Sequence, residues 1–120
     1  MTKKETKILD NLWSKTVKLK AGNKCEFCGK TNRLNSHHIY SRSKRSTRWD
    51  IDNRVCLCSG HHSLQSNFSA HKTPLDFMEW IRARRGETWY KTLQLKANAT
   101  SKMDYKLEKL YLLQELNKYK

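Results

Sequence analysis

Two short knuckles, Cys25-Glu-Phe-Cys28 and Cys58-Ser-Gly-His61, constrain this chain more than any other feature. Each carries two donors separated by two residues. Such a pair bends around one ion, and two pairs complete a tetrahedron of the zinc type. Gly29 and Gly60 suit the tight turns that the knuckles require. An ion held this way would fold the segment between the knuckles back on itself. The four thiols, Cys25, Cys28, Cys56 and Cys58, offer two disulfides as the alternative. No secretory signal precedes them, so they are expected to stay reduced, and their close spacing reads as metal binding. Cys56 competes with Cys58 for a place in the shell. Strand alternation and its distance from the knuckle turn favour a small buried strand residue instead.

A staple is needed because the apolar content is low. Of 120 residues, 37% are hydrophobic and 30% charged, which builds only a thin core. Lys and Arg number 25 against 11 acids, a formal net charge of +14. That surplus repels itself unless a polyanion neutralises it. Nucleic acid is the first candidate and an acidic membrane surface the second. No apolar run is long enough to span a bilayer and no signal peptide is visible, so a soluble cytoplasmic protein is expected.

Periodicity divides the chain. Ile8, Leu9, Leu12, Trp13 and Val17 form one apolar face of a helix over 4–19, and Gly22-Asn23 ends it. Two short strands are expected over 34–40 and 54–57, joined by a loop whose residues 41–48 are strongly basic. A short helix should begin at Ser59, a capping residue. Thr73-Pro74-Leu75-Asp76 reads as a capped helix start, and Gly86 as its stop. Helical patterns follow over 87–97 and 102–119. The last is apolar nearly all round, and packs either on its own chain or on a second chain as a homodimer.

Around the knuckles stand His37-His38-Ile39, Asp50-Ile51-Asp52-Asn53 and Cys58-Ser-Gly-His61-His62. This pattern resembles the HNH (ββα-metal) nuclease family, in its zinc-stapled phage and bacterial form, from about Cys25 to His62. The resemblance implies an α+β fold: a small ββα-metal core stapled by three cysteines and one histidine, flanked by N- and C-terminal helices. Residues 1–120 then form a single domain, with an N-terminal helix at 1–23, the core at 24–70 and a helical extension at 71–120. The resemblance further implies metal-dependent hydrolysis of DNA, double-stranded in the first instance. His38 matches the general base. Asn53 matches the residue that braces the loop or, in some members, touches the metal. His62 and His37 match ligands of a catalytic ion.

Physical chemistry supports several of these roles. Imidazole titrates near neutrality, so His38 can take a proton at working pH. His61 and His62 are neighbours on an expected helix, so their side chains diverge by roughly 100°. One can face the structural zinc and the other a second ion. His37 and His38 are neighbours on a strand and should face opposite sides unless the strand bulges or ends. Ser66 stands where some relatives carry a further ligand. Few protein ligands favour a hydrated Mg2+ or Mn2+. His71 reads as a surface residue.

Arg42, Lys44, Arg45 and Arg48 follow the proposed base and are expected to grip DNA phosphates. Arg82, Arg84 and Arg85 form a second cluster, either a solvated face or a further DNA contact. The alternative function is a non-catalytic zinc-finger DNA-binding module. It accounts for the charge and the knuckles but leaves His37, His38 and Asn53 without a task.

Overall fold

The computed structural model describes residues 1–100 and 102–119. Residues 101 and 120 of the expected helical extension lie outside them. Helix α1, Lys3–Lys20, opens with a capping box. The Thr2 hydroxyl accepts from the Glu5 N–H at 3.0 Å, and the Glu5 carboxylate accepts from the Thr2 N–H at 2.9 Å. This satisfies two N–H groups that a helix start leaves without intrahelical partners. Gly22 (φ 69°) and Asn23 (φ 56°) adopt left-handed backbone and end the helix.

Strands β1, Leu34–His37, and β2, Val55–Cys58, form an antiparallel pair in which Leu34 faces Cys58 and His37 faces Val55. All four residues of β2 are buried, because the ribbon is covered on both faces. On one side Cys56 packs with Leu9, Trp13 and Val17 of α1 and with Trp49 and Ile51. On the other, Val55 and Leu57 pack with Phe77 and Ile81 of helix α2, Pro74–Arg85. A two-stranded ribbon is marginal alone, and these two coverings supply the burial it lacks.

Gly86, at φ 93°, separates α2 from α3, Glu87–Ala97. Helix α4, Tyr105–Asn117, carries Leu112 and Leu116 buried. Its contacts fall on α1. Packing on its own chain therefore accounts for one side of α4, while Leu107, Leu110 and Leu113 stay exposed. No helix among the described residues is long and apolar enough to cross a membrane.

Two local expectations change. The segment after β2 is a single π-helical turn, Gly60–Leu64, closed by the Gln65 N–H on the Gly60 carbonyl at 2.9 Å. Ser59 does not cap it. Its hydroxyl donates to the Arg33 carbonyl and accepts from Asn35, so it ties the turn to β1. Thr73 does not cap α2 either. Its hydroxyl accepts from the Ser69 N–H and donates to the Ser69 carbonyl, both at 2.9 Å, which closes the loop ahead of the helix.

Candidate metal centres

The two knuckles converge. The donor atoms of Cys25, Cys28, Cys58 and His61 all lie within 4.8 Å of one another. Cys28 Sγ is 3.8 Å from Cys58 Sγ, and His61 Nδ1 is 3.3 Å from Cys58 Sγ and 3.9 Å from Cys25 Sγ. Zinc–sulfur bonds of about 2.3 Å at tetrahedral angles place sulfurs roughly 3.8 Å apart, so the four donors fit one zinc ion. Burial alone would raise the Cys25 pKa, but hydrogen bonding to backbone at Cys58, Cys28 and Phe27 outweighs it and favours the thiolate. Gly29 takes φ 79° in the first knuckle, as a tight turn demands. Gly60 has no such backbone. A Cβ there would come within 3.2 Å of the Gln65 side chain. Phe27 lies against His61 and stacks on Phe68 at 4.1 Å, which gives the site an apolar wall.

Cys56 stands apart from this group. It is fully buried in the core beside α1, and burial pushes its thiol up to about 11. A protonated core thiol is a packing group rather than a ligand.

A second cluster forms from His37, His62 and His71, whose donor nitrogens also lie within 4.8 Å of one another. His62 Nε2 and His71 Nε2 are 3.1 Å apart. Burial, with the neighbouring His62 and His71, pushes His37 down to about 3, and burial also lowers His62. Both are neutral near pH 7, the state in which imidazole binds metal. The His37 ring sits edge-on to Phe77 at 5.4 Å, which fixes its direction.

His71 was expected on the surface. It is exposed, yet it closes this cluster, and it lies beyond the expected core boundary at residue 70. A knot of short-range bonds puts it there. The His71 N–H donates to the His62 carbonyl at 3.1 Å and the Ala70 N–H to the His61 carbonyl at 2.9 Å. Ser69, fully buried, and Thr73 bond to each other across the turn. The available signal was Ser69-x-His71-x-Thr73, two turn-forming hydroxyls flanking a histidine. Three converging imidazoles also undercut the premise of few protein ligands. They suit ions such as Zn2+ or Ni2+ better than oxygen-seeking Mg2+ or Mn2+.

Strand β1 ends at His37, and His38 stacks on Trp13 instead of joining that triad, but it lines the same cleft of about 630 Å3 with His37, His62, His71 and Arg42. Its Nε2 lies 2.8 Å from the Arg48 carbonyl. A carbonyl only accepts, so Nε2 carries the proton and Nδ1 is left as the acceptor. Burial lowers the His38 pKa, against the opposing pull of the Arg48 carbonyl and Asp10, so the ring is neutral near pH 7.

Asn53 is fully buried and its side-chain amide is spent on backbone groups. Its Oδ1 accepts from the Tyr40 N–H at 2.6 Å, and its Nδ2 donates to the Tyr40 and Thr47 carbonyls, each at 3.0 Å. It closes both ends of the 41–52 loop. Replacing Asn53 with alanine strands the Tyr40 N–H and carbonyl, each costing about 1–3 kcal/mol, while the Thr47 carbonyl keeps the Asp50 N–H. The expected loss of stability is about 2 kcal/mol or more, read from the denaturant midpoint at constant m-value.

The basic loop residues do not act alike. Arg48 makes a bidentate pair with Asp10, at 3.0 and 2.8 Å, and only 16% of its side chain is exposed. Its guanidinium holds the fold and is not free for a phosphate. Arg45 lies over the Trp49 ring, and Lys44 reaches the Asn98 side chain at 3.4 Å. Arg42 remains beside His38 in the cleft. Of the second cluster, Arg85 pairs with Glu26 at 2.8 Å with both side chains largely buried, and Arg82 pairs with Glu87. Arg84 approaches Glu26 at 3.6 Å and is itself exposed. Asp50 and Asp52 both bind Lys96 at 3.1 Å and contribute to neither cluster.

No protein-family model, curated protein or solved structure matches this chain.

Proposed function

We propose that this chain is a metal-dependent DNA endonuclease of the HNH kind, with its two strands and the His62 turn as the ββα-metal core. The observation that carries the proposal is the convergence of His37, His62 and His71 in one cleft with the oriented imidazole of His38. A lone structural zinc site needs no second three-histidine group beside a neutral histidine with a free acceptor nitrogen. That is why hydrolysis is preferred over a zinc-finger module that only binds DNA.

His37, His62 and His71 would hold a divalent transition ion such as Zn2+ or Ni2+. When bound, it supplies Lewis-acid stabilisation of charge at the scissile phosphate and the departing oxygen. His38 Nδ1 accepts the proton of the attacking water, and the Arg48 carbonyl stabilises the imidazolium that results. Arg42 is placed to draw the phosphodiester into the cleft. Asn53 holds the loop that carries the Arg48 carbonyl. The zinc at Cys25, Cys28, Cys58 and His61 is structural and ties the His62 turn to the first knuckle. Duplex DNA is the proposed substrate because the net charge of +14 demands a polyanion. Phage or bacterial DNA processing is the proposed setting.

His71→Ala tests this assignment. Loss of a supporting residue beyond the ligands costs a metal site about 10–100-fold in affinity, and loss of a ligand at least as much. The ion concentration for half-maximal cleavage should rise by about 100-fold in His71→Ala while the structural zinc stays bound. An unchanged ion dependence removes His71 from the site.

A further inference from the structure

Helix α1 lies outside the core of the resemblance, from Cys25 to His62, which is weaker over the helix with Leu12-Trp13, yet it touches β1, His38 and the following loop at three points. Asp10, Trp13 and Ser14 share one face of the helix, at steps of three and four residues. Ser14 exchanges hydrogen bonds with Ser36 of β1, the residue before His37: Ser14 Oγ to Ser36 Oγ at 3.0 Å, and Ser36 Oγ to the Ser14 carbonyl at 2.8 Å. Asp10 accepts from the Arg48 guanidinium and from Trp49 Nε1 at 2.9 Å. Trp13 is 1% exposed. Its indole lies parallel to the His38 ring, with centroids 3.7 Å apart and planes 10° apart. Its Nε1 donates to the Asp50 carbonyl at 3.0 Å.

These contacts close on His38. Arg48 is held at both ends, its guanidinium by Asp10 and its carbonyl by His38 Nε2. Trp13 blocks one face of the imidazole and is itself anchored to the same loop. A ring that is stacked on one face and bonded at Nε2 has little freedom to flip or to exchange its two nitrogens.

We infer that Trp13 and Asp10 are positioning residues for His38: the indole fixes the plane of the imidazole, and Asp10 fixes the Arg48 carbonyl, so that Nδ1 alone is presented to the cleft. The inference rests on the proposed role of His38 as base. General-base catalysis depends on geometry, and misplacement by about 1 Å costs about 100-fold. The N-terminal helix thus belongs to the active site as well as to the core.

The test compares Trp13→Leu, Trp13→Phe and Asp10→Ala with wild type. One measurement is the pair of 15N shifts of the His38 ring at mildly alkaline pH. The other is kcat and KM on duplex DNA. Trp13→Phe keeps an aromatic stack and should keep one dominant His38 tautomer, with kcat within about threefold of wild type. Trp13→Leu should average the two nitrogen shifts and lower kcat by about 100-fold, with KM within about threefold, because orientation and not binding is lost. Asp10 is partly exposed, so Asp10→Ala decides the matter if Trp13→Leu does not fold. It should move the 15N pattern the same way and lower kcat by about tenfold. A folded Trp13→Leu with wild-type shifts and kcat overturns the inference. So does Asp10→Ala with both unchanged. If the wild type cuts no DNA, the nuclease proposal fails, while the 15N comparison still decides whether α1 orients His38.

Discussion

Replacing His38 with alanine is expected to lower the cleavage rate by about 10²–10⁴-fold, the usual contribution of a positioned general base. The variant keeps the three-histidine cluster, so its ion dependence should match wild type. KM should move little, since the proposed base would contact the attacking water rather than the DNA backbone. The pH profile supplies the sign. A base works when unprotonated, and burial lowers the His38 pKa below its ordinary value of about 6.5. Wild-type activity should therefore rise with pH through a limb on the acid side of 6.5 and be level near pH 7. In His38→Ala that limb should vanish from the residual activity. A limb retained unchanged assigns the titration to another group.

The second large effect concerns the structural ion. Zinc bound by a site of this type supplies about 10–16 kcal/mol of apparent binding free energy near pH 7. Total stability of a domain this size is about 5–15 kcal/mol. Removing the ion should therefore unfold the centre of the chain, from the first knuckle through β2 and the His62 turn. Cys58→Ala should lose the zinc and the thermal transition together. Cys56→Ala is the internal control. It trims a buried side chain and should cost about 1–2 kcal/mol with zinc content unchanged. A melting transition that survives verified zinc loss contradicts the staple.

How much of this was legible in the sequence depends on the range of the forces involved. The helices were readable because an apolar face repeats locally: Leu9, Trp13 and Val17 gave α1 within a residue at each end. The knuckles were readable because ligand spacing is a local constraint. The distance of Cys56 from the knuckle turn correctly kept it out of the four-donor group, and β1 ends at His37, the condition under which His37 and His38 can line one cleft. Three features were misread because the partner of each side chain is not visible in the local pattern. Arg48 looked like a free cation, but its partner Asp10 lies 38 residues earlier. Thr73 looked like a helix cap, but its hydroxyl is used by Ser69, which sets the loop carrying His71. His71 looked idle because its role depends on a turn that folds it back onto His62. Ser59 shows the same limit, with partners 24 and 26 residues away. A capping residue caps only if its hydroxyl is not claimed elsewhere, and here Arg33 and Asn35 claim it.

The most direct measurement is single-turnover cleavage of supercoiled plasmid by the zinc-loaded wild-type chain, with Mn2+, Ni2+, Zn2+ and Mg2+ added separately. The account predicts nicked product that appears only with an added divalent ion, is fastest with a transition ion, and is lost in a His37→Ala, His62→Ala double variant that still binds one structural zinc. A wild-type chain that binds duplex DNA but leaves it intact with every ion would contradict it, and would leave the histidine cluster without hydrolytic function.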